Sequence, residues 1–108
     1  MSNLVNFYKE QQKMNVPVIL SIDSTATTDE QLLIRSALPQ GLDQPDLIAA
    51  AIRDVVDMGD QLHGKHILIN GPCTTGMALA LGHKLAHISK SVSIYDPKLA
   101  AFVLAVTH

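Results

Sequence analysis

The chain has 108 residues, with 8 Lys plus Arg against 10 Asp plus Glu and a formal net charge of −2. Hydrophobic residues make up 47% of it and its mean hydropathy is +0.20, which is enough apolar material for one core and too little length for two. Wholesale disorder and a two-domain architecture are therefore excluded, and the acid-leaning balance argues against a protein that coats long DNA or RNA while leaving room for a local anion pocket.

Residues 1–15 are polar, with Leu4, Val5, Phe7 and Tyr8 as the only apolar grip, and read as a short helix or a loose arm. They hold no apolar stretch of the secretory kind, and no run in the chain approaches the ~18 residues of a membrane span. Cys73 is the single cysteine, so neither an intramolecular disulfide nor a thiolate zinc cluster can form within the chain. A cytoplasmic protein without a membrane partner is expected.

Val16–Ile22 reads as a strand, with Pro17 near its start in the manner of an edge. Asp23–Gln31, rich in Ser, Thr and Asp, reads as a loop. Leu32–Leu38 is ambiguous between a strand and one helical turn, and Pro39-Gln40-Gly41 ends it. A helix then opens at Pro45, with Asp43 or Gln44 as its cap. Leu47, Ile48, Ala51, Ile52, Val55 and Val56 mark its apolar stripe, and Gly64 is the expected stop after Leu62. His66–Ile69 reads as a buried strand. Asn70-Gly71-Pro72 is a tight turn into a second helix over Cys73–Ile88, Ser91–Tyr95 is a strand, Asp96-Pro97-Lys98 a turn, and Ala101–Thr107 the last strand. The strand–helix–strand unit over 66–95 predicts parallel strands joined by a right-handed crossover, and the final hairpin predicts an antiparallel pair. The expectation is one α+β domain: a small sandwich with helices on one face of a mixed sheet. The other sheet face would be bare, which implies self-association.

Several residues could carry chemistry. His83 and His87 lie four apart and share a helix face, away from Met77, Leu81, Leu85 and Ile88. They look outward, as plain surface histidines or as functional ones. Lys84 stands where a zinc-protease helix needs Glu, so that activity is excluded. Asn70-Gly71-Pro72 suits an anion through backbone N–H groups and the helix dipole, or is an ordinary helix start. Cys73, just inside that start, is a candidate for a lowered pKa. Asp96-Pro97-Lys98 reads equally as turn chemistry.

Topology sorts these residues into two groups. Asn70, Gly71, Cys73, Asp96 and Lys98 follow the carboxyl ends of parallel strands, whereas His87 and His108 fall at the opposite edge, a strand length of ~20 Å away. A site using Asp96 and His87 together must be shared between subunits.

Gly64-Lys-His-Ile-Leu-Ile-Asn-Gly-Pro72, His83-Lys-Leu-Ala-His87, Tyr95-Asp-Pro-Lys-Leu99 and the terminal Ala105-Val-Thr-His108, taken in this order, resemble the Csx-three family of small accessory proteins from type III CRISPR antiviral defence. The resemblance covers residues 45–108. It implies a ferredoxin-like sandwich that dimerises and stacks into higher oligomers around its ligand. It also implies a ring nuclease that binds and linearises cyclic tetra-adenylate, or a manganese-dependent exonuclease on RNA 3′ ends. Carried over residue by residue, it makes His87 and Asp96 catalytic and places Mn²⁺ on Asp96 and His108. Lys98 then contacts ligand phosphate where the family often has Arg, which keeps the charge and loses the bidentate fork. His83 stands one residue off a second family histidine and, with Asn70, Gly71 and Pro72, is assigned to ligand binding. In such cleavage the ribose 2′-OH is the internal nucleophile, and His87 is the expected acid–base group. The competing classes are a sensor or sponge that holds the ring without turnover, and a plain structural subunit.

Overall fold

The computed structural model describes residues 16–107. The arm expected over 1–15, and His108, lie outside the described residues. The elements are β1 (Leu20–Asp23), β2 (Gln31–Ser36), α1 (Gln44–Met58), β3 (His66–Asn70), α2 (Thr75–Ala86), β4 (Ser91–Asp96) and β5 (Ala101–Thr107). One five-stranded sheet runs in chain order, β1-β2-β3-β4-β5. The two central pairings, β2 with β3 and β3 with β4, are parallel, and both outer pairings are antiparallel. The α+β sandwich with a mixed sheet, expected from the element order, is the architecture observed.

The ambiguous stretch over 32–38 is a strand. Leu32, Leu33 and Ile34 pair with Ile67, Leu68 and Ile69, so two strand–helix–strand units follow one another. Right-handed crossovers that step in the same direction place both helices on the same face, where α1 and α2 pack against each other. Leu32, Ile34, Ile67, Ile69 and Val92 supply the sheet side of the core, and Leu47, Ala51, Val55, Met77, Leu81 and Leu85 the helix side.

Helix α1 starts where its sequence asks. The Asp43 carboxylate accepts the Asp46 N–H at 3.1 Å, with Pro45 in the first turn. It stops earlier than Gly64 would suggest. Gly59, at φ 60° and ψ −136°, takes a positive-φ conformation open to glycine and ends the helix, and Gly59–Leu62 continues as a 3-10 turn. The buried stripe is also rotated from the one the pattern suggests: Ala50, Asp54 and Met58 face inward, while Ile52 and Val56 are 36% and 55% exposed. The cause is Asp54. Its Oδ2 accepts the N–H groups of Ile19 and Leu20 at 2.8 and 3.1 Å, and its Oδ1 accepts Arg53 Nε at 2.9 Å. The Arg53 guanidinium in turn donates to the carbonyls of Val16 and Pro17 at 2.8 and 3.1 Å. These bonds tie residues 16–20 to α1, and from Ile19 onward the segment also bonds to the β2 side, the Ile19 carbonyl accepting the Ala37 N–H at 2.9 Å and Leu20 pairing with Ser36. The strand expected over Val16–Ile22 is therefore shortened to Leu20–Asp23.

Candidate functional site: two edges of one sheet

The carboxyl edge of the sheet gathers the first group. Arg35 and Asn70 are register partners at the ends of β2 and β3. Gly71 and Asp96 each lie two residues beyond the paired Ile69 and Ile94, hence at the same level on adjacent strands. Gly71 sits at φ 123°, and a Cβ there would collide with the backbone carbonyl of Ser36. The Ser36 hydroxyl donates to the Pro72 carbonyl at 2.7 Å and pins the turn against β2. The turn does not open the helix directly. Helix α2 begins two residues later than expected, at Thr75, and Thr74 is its cap, its hydroxyl accepting the Met77 N–H at 3.2 Å. Thr74 also donates to Gln44 Oε1 at 2.6 Å, joining the starts of the two helices.

Asp96 is half-buried and accepts the Lys98 N–H at 2.8 Å, which closes the turn between β4 and β5. This leaves the exposed Lys98 side chain pointing from an ordered turn. Ala100 completes the turn at φ 50°. Tyr95 pairs with Phe102, their rings edge to face at 5.3 Å.

A cavity of 340 Å³ lies beside this edge, between α2 and strands β3–β5, lined by Ile69, Gly71, Cys73, Leu81, Ile94 and Tyr95 among others. Cys73 is not the low-pKa thiol that a helix-start position suggests. It precedes the helix and is half-buried against the core cluster, and burial pushes its thiol upward. Its surroundings are those of an inert core cysteine.

The second group lies at the other edge. Helix α2 runs back from the carboxyl edge over 12 residues, a rise of about 18 Å. It delivers His87, its C-terminal cap, to the level where β4 begins. There Gly64 N–H donates to the Ile88 carbonyl and Lys90 N–H to the Lys65 carbonyl, both at 2.9 Å. His83 and His87 are exposed as their spacing predicts, with ring centroids 5.1 Å apart. Within the chain, then, Asp96 and Lys98 are brought together with Asn70 and Gly71, and His83 with His87, while the two sets are held apart by the length of α2.

Among the described residues no three His, Cys, Asp or Glu side chains converge on a metal position. Asp96 is thus a lone carboxylate in its turn. His108, the second Mn²⁺ ligand that the resemblance implies, lies outside the described residues, and no chemical step is assigned to the metal.

Sequence reading passed over Arg35, which belongs to the stretch whose secondary structure was ambiguous. Its Nε donates to Asp23 Oδ2 at 2.7 Å. The Thr25 hydroxyl, with Arg35 and the Thr25 N–H, lowers the Asp23 carboxyl to about 2. The signal available in the sequence was the alternation Leu32, Ile34, Ser36 against Leu33, Arg35, which puts Arg35 on the sheet face opposite Leu32 and Ile34 once β2 is read as a strand.

The class so defined is a small α+β sandwich with polar groups at both edges of its parallel centre. Comparison with protein-family models gives no match, and comparison with curated proteins gives none either. Among the described residues no helix is long and apolar enough to cross a membrane.

Proposed function

We propose that the protein is a ring nuclease of the Csx-three kind, acting in the cytoplasm on cyclic tetra-adenylate at a site completed by two or more copies of the chain. The motifs that resemble that family motivate the reading. The observation that supports it most is the separation of Asp96 and Lys98 from His87 by the length of α2. A ligand that needs both sets has to be enclosed between subunits stacked edge to edge, and a ring several nucleotides wide suits that arrangement better than a mononucleotide does.

In this reading Lys98, Arg35 and the backbone N–H groups that follow Gly71 and Pro72 hold phosphates at one subunit's carboxyl edge. A ribose 2′-OH of the ring attacks its own 3′-phosphate. The P–O5′ bond breaks, and a 2′,3′-cyclic phosphate and a free 5′-OH are left. His87 of the facing subunit, an exposed imidazole, takes the 2′-OH proton or returns one to the leaving oxygen. Asp96 orders the turn that presents Lys98. Metal at Asp96 would need ligands from a second subunit or from His108.

Radiolabelled cyclic tetra-adenylate incubated with the protein should yield linear product. His87→Ala should lower the rate by about 10²–10⁴-fold, the range of a lost general acid–base group, while leaving a gel shift of the ring intact. A shifted ring with no product in the wild type would make the protein a sponge, and trimming of RNA 3′ ends in place of ring opening would make it an exonuclease. Undiminished turnover in His87→Ala would remove His87 from the mechanism.

A further inference from the structure

We propose that His83 and His87 form a chelating site for a divalent transition ion of the nickel–copper–zinc group on the outer face of α2. This site is separate from the Asp96 turn and of different metal preference from manganese. Three observations carry it.

The first is geometric. A metal about 2.1 Å from one nitrogen of each imidazole lies roughly 3.2 Å from both ring centroids, and at the observed centroid separation of 5.1 Å this closes to an angle of roughly 105° at the metal, near the tetrahedral value. The rings are tilted 56° to each other rather than stacked, which leaves each free to turn an edge inward.

The second is their freedom. Both side chains are exposed, and among the described residues neither ring has a hydrogen-bond partner that would occupy its nitrogens. They border a groove of 320 Å³ lined by Ile52, Ala80, His83, Lys84 and His87, with room for water or a ligand anion at the remaining coordination positions.

The third is electrostatic. The pair occupies the last turn and C-terminal cap of α2, where the negative end of the helix dipole favours a cation. Lys84 is the opposing charge in the groove, and it sits beside the pair on a long flexible stem. Two neutral imidazoles with no carboxylate suit zinc, nickel and copper and give manganese little hold. Coordination and acid–base work both draw on the His87 ring, so an ion bound here acts on the proposed cleavage as an inhibitor.

The test is a calorimetric titration of the full chain with Zn²⁺ at pH 7.5, repeated with His83→Asn, His87→Asn and the control His63→Asn. Each exposed substitution is checked by circular dichroism for retained helix. Loss of either chelating partner removes the gain in effective concentration, so each of the two should weaken Zn²⁺ binding by about tenfold or more, with His63→Asn unchanged. Zn²⁺ should also raise the melting temperature of the wild type and not of the two variants. Absence of wild-type binding at millimolar Zn²⁺ would overturn the proposal. So would affinity that is unchanged in either variant.

Discussion

Replacing Asp54 by alanine should lower the unfolding free energy by about 3 kcal/mol, the scale for breaking a buried, hydrogen-bonded charge and orphaning its partners. Asp54 is only 3% exposed on the core side of α1. Its loss would leave the Ile19 and Leu20 N–H groups without this acceptor and would remove the Asp54 carboxylate from beside Arg53. Asn, which keeps one acceptor oxygen, should cost less, on the order of 1–2 kcal/mol. Urea denaturation of the two variants checks this, read from the midpoint at constant slope. A fall of less than 1 kcal/mol for Asp54→Ala would mean that the attachment of residues 16–20 to α1 contributes little.

Gly71→Ala should be comparably damaging, by about 3 kcal/mol, for an unrelated reason. The φ of 123° is foreign to an L side chain, and the new Cβ would press on the Ser36 carbonyl, a backbone atom that cannot rotate away. It would also come within 2.8 Å of the Ser36 hydroxyl, which holds Pro72. The variant therefore displaces the turn beside Asp96, and loss of ring binding should accompany the loss of stability. Gly41→Ala is the matched control. It too has positive φ, 85°, but nothing lies within 4 Å of its added Cβ, so about 1 kcal/mol is expected there. Equal costs at the two positions would show that conformational strain alone, and not contact with β2, decides the effect.

Much of the fold could be read from residue pattern. The strand–helix–strand unit over 66–95, the hairpin that follows and the exposure of His83 and His87 all rest on local signals that nothing in the tertiary structure overrides. The parts that could not be read share one cause: long-range polar contacts. Asp54 looks like a solvent-side residue in the α1 pattern, and only its bonds to Ile19 and Leu20, more than 30 positions away, explain why the helix turns Ile52 and Val56 outward. The same contacts shorten β1. Strand β2 was ambiguous because six residues are too few for periodicity to choose between states, and it took the pairing with β3 to decide. For the candidate site, strand direction sufficed to separate Asp96 from His87. The role of Ser36 in fixing the Gly71 turn, and the place of Arg35 beside Asn70, required the register.

The central claim is a cleavage site shared between subunits, and complementation tests it most directly. His87→Ala and Asp96→Ala are each assayed alone on cyclic tetra-adenylate and then after co-refolding as a mixture, with wild type alongside. If one subunit supplies His87 and its neighbour Asp96, free exchange leaves about a quarter of two-fold-related sites with both groups intact. Cleavage should then reappear in the mixture of two inactive variants. A mixture as silent as its components, beside a wild type that opens the ring, would contradict a shared site, and a wild type that leaves the ring intact would contradict ring cleavage itself.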